Sequence, residues 1–338
     1  MQAPLNLLGR RGWYLVMILA GPLAAPAAAQ LVPGSGDLIA EVGDDFEDEK
    51  WQYVHNAPKA SKEIDKQRRL PAGYAANGRW AESMLRGSPD LIRRVATPDG
   101  GLEGSSGSLL LRTLNSGVPG MHSGKHEQDD LIVNCSGRLR GQIPVSWSPS
   151  CTVRVYLPPW DQWEPRSATS FGFRAELWAT SRGKYDKEGN RKGPEEPYWP
   201  GFFIQFNSKA DGRHTEDSAQ LIMRCGNNGR DFLGPEIKEP GWWTLGMSFT
   251  PDGRVHYYAH AGVEDLTSAD YLATQYPYGF RALRFQSFFF NISNLDNGRS
   301  WSTPWVIDDP MLFYFRNGNS GMARARTNPV PGHVMKTK

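Results

Sequence analysis

The chain has 338 residues and a formal net charge of +2, with basic and acidic residues mixed along its length. Nucleic-acid binding needs a basic stripe, so this charge pattern argues against a nucleic-acid partner. The 36 glycines and 25 prolines divide the sequence into many short apolar runs, which are typical of a turn-rich all-β protein.

The first thirty residues have the pattern of a secretory signal peptide. Arg10 and Arg11 precede an apolar run over 13–20, and three alanines end at Ala29. We therefore expect cleavage near Ala29 and a mature protein secreted to the periplasm or the extracellular space. The apolar run is shorter than the ~20 residues of a membrane helix, and no later stretch approaches that length, so no membrane span is expected. The pattern favours general secretion, with twin-arginine export as the alternative.

The mature chain has a length that suits one large β domain. Residues 30–42 are small and polar and are interpreted as a linker, and residues 43–316 are expected to form the domain. Charge, glycine and proline interrupt every apolar run of 58–104, which we interpret as an insertion with a short helix near 90–95. Residues 317–338 are expected to form a disordered basic tail.

The cysteines predict one disulfide bond. In an oxidising compartment, Cys135 and Cys151 have a spacing that allows them to close a short loop. The chain-entropy model gives such a bridge a stabilisation of about 3 kcal/mol. Three widely separated cysteines do not make a zinc signature.

The strand signal is regular from residue 168 onward. Apolar residues alternate with polar ones over 170–179 and 202–207, and side chains that alternate in this way lie on opposite faces of a strand. Over 241–262, two runs of β-forming residues flank Pro251-Asp252-Gly253, which predicts a hairpin. No helix-length segment interrupts the series, so the sequence predicts an all-β, two-sheet antiparallel sandwich with few or no long helices.

Three segments carry a resemblance to a known group of folds. The acidic-aromatic DDFEDEKW, the hairpin GWWTLGMSFTPDGRVHYYA and the closing WVIDDPMLFYF resemble the concanavalin A-like jelly-roll group. This group contains laminin-G-like domains, legume-type lectins, glycosidases and polysaccharide lyases. The resemblance covers 43–316 and implies that the first and last strands lie side by side. It also implies that the concave face of one sheet binds a glycan.

The catalytic patterns of that group are incomplete in this chain. The Glu-x-Asp-x-x-Glu strand of laminarinase-like glycosidases, which presents a nucleophile and an acid on one face, is missing. The Arg-x-Glu-x-Arg pattern of alginate-lyase-like jelly rolls is approximated by Arg174-Ala175-Glu176-Leu177-Trp178, with tryptophan in place of the second arginine. No specific family is therefore assigned.

The polar faces of the predicted strands supply candidate site residues. Arginine donors match a planar carboxylate, amides bind hydroxyl groups, and an indole ring packs on a sugar. The predicted substrate-binding residues are Arg174, Trp178, Gln205, Asn207, Arg224, Trp242, Arg284 and Gln286. The predicted catalytic residues, which supply an acid and a base, are His256, Tyr258, His260 and Glu176. The same alternation also fits a solvated sheet face.

Two sets of residues are candidate metal ligands. Carboxylates from adjacent terminal strands give hard oxygen ligands, which predicts a structural calcium at Asp44, Asp45, Asp308 and Asp309. The alternative is that these acids are turn and edge residues. His122, His126 and Glu127 are a second metal candidate, but Gly124 undermines a helical pairing of the histidines, and a His pair in a polar loop is usually solvated. No phosphate-binding loop follows a strand, so no other cofactor is expected.

These observations predict a secreted protein that recognises a polysaccharide on one face of a jelly-roll sheet. One alternative is a polysaccharide lyase, or a hydrolase, that acts on an acidic glycan. A second alternative is a structural envelope or matrix protein that binds other proteins. The sequence does not name the glycan or the oligomeric state.

Overall fold

A computed structural model describes residues 31–55, 59, 66–67, 70–116, 120–181, 195–224, 226 and 230–315. The predicted signal peptide, most of 56–69 and the predicted basic tail lie outside the described residues. No helix in the described part of the chain is long and apolar enough to cross a membrane.

The described residues form strands throughout, together with one short α-helix and several 3₁₀ turns. The strands are β1 Asp37–Gly43, β2 Tyr53–Val54, β3 Tyr74–Ala75, β4 Trp80–Glu82, β5 Leu91–Ala96, β6 Gly107–Arg112, β7 His126–Val133, β8 Ile143–Pro144, β9 Ser150–Leu157, β10 Ser170–Ser181, β11 Glu196–Tyr198, β12 Gly201–Asn207, β13 Ser218–Arg224, β14 Asp231–Ile237, β15 Gly241–Phe249, β16 Val255–Ala261, β17 Tyr271–Gln275, β18 Phe280–Leu295 and β19 Trp305–Tyr314. The helix α1 is Cys135–Leu139.

These strands form two antiparallel sheets. The small sheet has the order β17-β16-β15-β9-β19-β6-β5, with β1 paired to β19. The large sheet has the order β14-β13-β12-β10-β18-β7-β4-β3-β2, with β11 on β10 and β8 on β18. The predicted sandwich is confirmed. The first and last strands pair as the resemblance implied, but the first strand is β1 and not the segment DDFEDEKW, which forms no strand.

The core lies between the two sheets, where the apolar faces meet. Phe171 of the large sheet packs against Trp305 of the small sheet, with ring centroids 5.3 Å apart. Phe202 likewise meets the edge of the small-sheet Tyr257 at 5.3 Å. The alternation in each strand therefore sends one set of side chains into this core and the other set to an outer face.

The predicted hairpin is confirmed. β15 and β16 pair in register from Trp243 with Ala261 to Phe249 with Val255. At the turn, the Gly253 N–H donates to the Thr250 carbonyl oxygen at 2.8 Å. Gly253 has φ +81°, a left-handed conformation that glycine adopts without a steric penalty.

Three predictions about the N-terminal third need correction. Residues 30–42 contain β1, whose backbone groups pair with β19, so the predicted linker is part of the small sheet from Asp37 onward. The interpreted insertion 58–104 contributes β3 and β4 to the large sheet and β5 to the small sheet. The predicted short helix near 90–95 is strand β5, because β6 offers it a complete antiparallel partner.

The predicted disulfide is absent, since Cys135 and Cys151 are free thiols. Cys135 begins α1, immediately after a large-sheet strand, and Cys151 lies in β9 of the small sheet. Both are buried in the core, where burial raises the pKa of Cys135 to about 12 and the pKa of Cys151 well above its usual value. The two thiols therefore behave as small core residues.

Candidate functional site

A row of polar side chains crosses the outer face of the large sheet. The strand register aligns Ser170 with Gln205 on one side and with Ser293 on the other, and Ser293 with Gln128. Because adjacent strands lie about 4.8 Å apart, these four residues, which we call the polar row, span about 14 Å. Gln220 continues the line, but its amide donates to backbone carbonyl oxygens of its own and the next strand.

The polar row forms one wall and part of the floor of a groove with a volume of about 300 Å³. Strands β7, β18, β10, β12, β13 and β14 contribute to it. The lining residues are His126, Gln128, Ala168, Ser170, Phe203, Gln205, Ile222, Arg224, Asp231 and Ser293. The groove therefore combines hydroxyl and amide groups with the apolar side chains of Phe203 and Ile222, a more polar lining than that of most small-molecule pockets.

Phe203 organises two arginines at the groove. The guanidinium of Arg224 lies 4.7 Å from its ring centroid, and that of Arg174 lies 5.3 Å from it. A cation over an aromatic face is attracted by the ring quadrupole, so both side chains are held in place. Strand alternation puts Arg174 and Phe203 on the same outer face, since their neighbours Phe173 and Ile204 point into the core.

Both arginines already have acceptors within the protein. Arg224 donates from Nε and a terminal nitrogen to the two carboxylate oxygens of Asp231, at 2.9 and 3.1 Å. Arg174 donates twice to the carbonyl oxygen of Trp199, at 3.1 and 2.6 Å. Burial lowers the pKa of Arg174 from its usual value, although a guanidinium remains charged at any physiological pH.

Asn291 is an unusual residue beneath this face. Its register partners are Gly172 and Asp130, and its amide oxygen and nitrogen are both buried without a hydrogen-bond partner. A Cβ on Gly172 would lie 1.7 Å from the Asn291 amide oxygen and 3.3 Å from the Phe203 ring. The side chain of Asn291 therefore occupies the space above Gly172, next to the floor of the groove.

The structure brings some of the predicted binding residues together. Gln205 and Arg224 line the groove, and Arg174 contacts the underside of the same Phe203 ring. Asn207 lies at the end of β12 opposite Ser218, outside the lining set. These residues share a face because the period of two in β10, β12 and β13 is unbroken around them.

The other predicted residues of the large sheet lie farther along β10 and β18. Trp178 is opposite Arg284, whose guanidinium lies 6.0 Å from the indole and pairs with Glu195. Gln286 accepts a hydrogen bond from Gln142. Glu176 shares the outer face with Trp178, and burial raises the pKa of its carboxyl group. None of these residues lines the groove.

Three of the four predicted acid and base residues lie on the opposite side of the molecule from Glu176 and the groove. His256, Tyr258 and His260 belong to β16 of the small sheet, on its outer face. The thickness of the sandwich separates them from Arg174, because packed sheets are about 10 Å apart and the outer faces point away from each other. The predicted single constellation of arginine, glutamate, histidine and tyrosine is therefore divided between two surfaces.

His256 is a structural residue in a hydrogen-bond chain. The Thr250 hydroxyl donates to Asp252 at 2.5 Å, so it accepts from His256 Nε2 at 2.9 Å. Nδ1 accepts from the Thr274 hydroxyl at 2.6 Å, and Thr274 accepts from Tyr271 at 3.0 Å. Both ring nitrogens are satisfied in the neutral form, and burial lowers the pKa of His256 to about 4.

Tyr258 and His260 are similarly unsuited to catalysis. Tyr258 is fully buried, its hydroxyl has no hydrogen-bond partner, and burial raises its pKa to about 12. His260 pairs with Asp270 through Nδ1 at 3.2 Å. Part of this face is covered, because a side chain on Gly246 would meet Leu266 and Pro33.

Trp242 also lies on the small sheet. It is buried beside Tyr156, and its indole N–H donates to the Asp99 carbonyl oxygen at 3.2 Å. The predicted role of Trp242 as a sugar platform in the groove is therefore wrong, because its strand belongs to the other sheet.

The four aspartates predicted to bind calcium do not fit a common cation site. One oxygen of Asp44 accepts from the indole N–H groups of Trp51 and Trp80, at 3.0 and 3.1 Å, and from the amide of Asn77 at 2.7 Å. N–H donors in these positions exclude a cation from that oxygen. Asp45 caps the Glu47 N–H, and in the described residues no group of three or more His, Cys, Asp or Glu is arranged to hold a metal.

Asp308 and Asp309 form a separate acidic feature at a bulge in β19. Burial raises the pKa of Asp308 to about 7, and Asp309 adds to this shift. Burial also raises the pKa of Asp309 to about 6, although Arg154 opposes the change. Asp308 accepts from the Ser105 hydroxyl at 2.8 Å, so these acids belong to the packing of the small sheet.

The second metal candidate is also separated. His122 pairs with Asp296 at 3.3 Å, and the Ser123 hydroxyl donates to Glu127. His126 instead lines the groove, at the start of β7. Sequence interpretation placed this segment in a loop and missed His126, Gln128, Ser170, Ser293 and Asp231 as lining residues. In β7 three polar residues, Gln128 to Asp130, precede three apolar ones, so no alternation in the sequence marked Gln128 as an outer-face residue.

Comparisons with known proteins give only distant likenesses. No protein-family model and no curated protein matches this sequence. A carbohydrate esterase from the Shiga toxin-encoding bacteriophage phi24B is 12% identical, with a TM-score of 0.42 over 70% of this chain and 91% of the other. The CBM2 module of evolved Dit from Lactobacillus casei phage J-1 is 10% identical, with a TM-score of 0.35 over 81% and 94%. An alginate lyase from Pseudomonas aeruginosa is 10% identical, with a TM-score of 0.35 over 67% and 83%. Likenesses at this level assign no family and no function.

Proposed function

We propose that this protein is exported and binds a polysaccharide in the groove on the outer face of the large sheet. The observation that carries the proposal is the polar row, which lines a groove of about 300 Å³ beside the apolar floor of Phe203 and Ile222. Hydroxyl and amide groups exchange hydrogen bonds with sugar hydroxyls, and an apolar floor packs against the apolar face of a pyranose ring.

The direction of the polar row supports a chain ligand. Its four members come from four neighbouring strands, so the row runs across the sheet. A ligand that follows the row meets a hydrogen-bonding group about every 4.8 Å, which suits a polymer with a short repeat better than a compact molecule.

Binding is favoured over turnover by the positions of the titratable groups. The lyase alternative requires an acid and a base within reach of one substrate position, but His256 and Tyr258 lie on the other sheet. A hydrolase requires two carboxylates that flank the same bond, whereas Asp231 is the lone carboxylate among the residues lining the groove, and it is paired with Arg224.

The proposal is tested by binding measurements on the purified full-length chain. A panel of immobilised polysaccharides is used for retention, and calorimetry with soluble oligosaccharides gives the dissociation constant. Gln205→Ala is expected to weaken binding about 5- to 30-fold, because it removes one or two hydrogen bonds worth about 1 kcal/mol each. Gln162→Ala is the matched control, since Gln162 is exposed outside the groove.

The alternatives have distinct outcomes in the same experiment. Ultraviolet absorbance from unsaturated products indicates a lyase, and new reducing ends indicate a hydrolase. Retention on no polysaccharide, or retention that Gln205→Ala leaves unchanged, contradicts the proposed site and favours the structural envelope or matrix role.

A further inference from the structure

We infer that the groove selects an uncharged polysaccharide and rejects uronic-acid polymers. This inference rests on the proposed function, and it names the class of glycan that the groove accepts. It follows from how the described charged groups in the groove are already compensated.

The first step concerns Arg224, the one arginine among the described residues that line the groove. Arg224 and Asp231 form a two-point ion pair at 2.9 and 3.1 Å, directly across adjacent strands β13 and β14. A planar guanidinium and a carboxylate match each other's geometry, and Asp231 already makes this two-point pair with Arg224. A ligand carboxylate would therefore add no new interaction of this kind. A ligand carboxylate placed beside this pair would also be repelled by Asp231.

The second step concerns Arg174 and His126. The guanidinium of Arg174 is buried and donates twice to the carbonyl oxygen of Trp199. Burial and the nearby Arg166 lower the pKa of His126, which keeps the imidazole neutral at neutral pH. The remaining lining residues are amides, hydroxyls and apolar groups, so the described lining carries no net charge.

The third step is the cost of placing a charge in this setting. A carboxylate loses its hydration on entering the groove, and amides and hydroxyls replace that hydration only in part. A neutral hydroxyl group loses much less hydration free energy, and hydrogen bonds with the polar row compensate for that loss. The same surface therefore discriminates against a uronate without any steric feature.

The test uses two ligands that differ only in charge. A soluble neutral glucan is compared with the same glucan oxidised at C6 to the uronate, by calorimetry with the full-length chain. We expect the neutral polymer to bind at least about 10-fold more tightly, and its dissociation constant to stay within about twofold from low salt to about 0.5 M salt. Preference for the oxidised polymer overturns the inference and leaves the proposed binding function intact. Binding of neither polymer, and of no other polysaccharide in the panel, overturns the proposed function as well.

A pair of variants tests the cause of the selectivity. Asp231→Asn keeps the shape of the side chain but leaves the Arg224 charge available, so we expect affinity for the oxidised glucan to rise at least about 10-fold and to become salt-dependent. The double variant Arg224→Gln, Asp231→Asn restores a neutral groove and should lose that gain. Circular dichroism verifies folding for both. A folded Asp231→Asn protein that gains no affinity for the oxidised glucan refutes the role of the ion pair.

Discussion

The close approach of Gly172 and Asn291 predicts that a larger residue at position 172 destabilises the protein. A methyl group at position 172 would lie 1.7 Å from the Asn291 amide oxygen, so Gly172→Ala forces that side chain to move. Overpacking of this kind costs about 1–3 kcal/mol, and Asn291 is fully buried, which limits its relaxation. We expect Gly172→Ala to lower the free energy of unfolding by about 2 kcal/mol.

The double variant supplies the decisive measurement. Asn291→Ala removes the colliding amide together with two buried polar atoms that have no partner, and each such atom costs about 1–3 kcal/mol. Gly172→Ala should therefore cost little in the Asn291→Ala background, which gives a coupling free energy of about 1–3 kcal/mol. Urea unfolding followed by tryptophan fluorescence measures each variant at a constant m-value.

The control and the refuting result are both defined by the structure. Gly141 has open space where its Cβ would be, so Gly141→Ala should change stability by less than about 1 kcal/mol. If the costs of Gly172→Ala and Asn291→Ala add to within about 0.5 kcal/mol, the Asn291 amide does not occupy the space above Gly172.

Three further predictions concern titration and reactivity. The His256 pKa of about 4 in the folded protein lies below the value of about 6.5 in the unfolded chain. The contribution of His256 to the free energy of unfolding, at most about 3 kcal/mol, is therefore present above pH 6.5 and lost as the pH falls towards 4. His256→Asn should flatten the dependence of stability on pH in that range without changing glycan affinity. Asp308, with a pKa of about 7, has the opposite sign, because its protonated form is favoured in the folded state. Its own contribution to stability should fall as the pH rises from 4 to 7, against the rise from His256, so Asp308→Asn should raise the melting temperature at pH 8 but not at pH 4. Cys135 and Cys151 should resist alkylation by iodoacetamide in the native protein and react after unfolding, because both thiols are buried. Mass spectrometry of the alkylated peptides measures this reactivity, and rapid labelling of the native protein would contradict the burial of the thiols.

Strand periodicity predicted which residues share a strand face but not which sheet the strand joins. Alternation correctly separated Arg174 and Gln205 from their core neighbours, because side-chain direction is a local property of the backbone. The same rule in β16 put His256 on a polar face, yet that strand pairs with β15 and β17 in the other sheet. Sheet membership depends on long-range pairing, which no local pattern encodes.

Irregular register limited the prediction of the site further. β18 shifts register against β10 between Phe285 and Ser287, so Phe288 and Phe290 point into the core while Asn291 and Ser293 follow the opposite alternation. If the side chains of β18 alternated strictly from Phe285 onward, Phe288 and Phe290 would be assigned to the outer face, whereas they point into the core. The polar row was missed because two of its members, Gln128 and Ser293, lie on strands whose faces are set by pairing.

The outer faces of the two sheets differ in how far other segments of the chain cover them. The residues with the stronger acid–base chemistry, His256 and Tyr258, lie beneath a face that the segment at Leu31 and the Leu266 loop pack against. There burial keeps the imidazole neutral, and the hydrogen-bond chain around His256 connects the β15–β16 turn to β17. The polar row contains no acid or base, but it lines an open groove. Its amides and hydroxyls can form hydrogen bonds with a ligand without any shift in pKa. Accessibility, and not the reactivity of the side chains, is therefore the property on which the proposed binding function assigns the glycan to the large sheet.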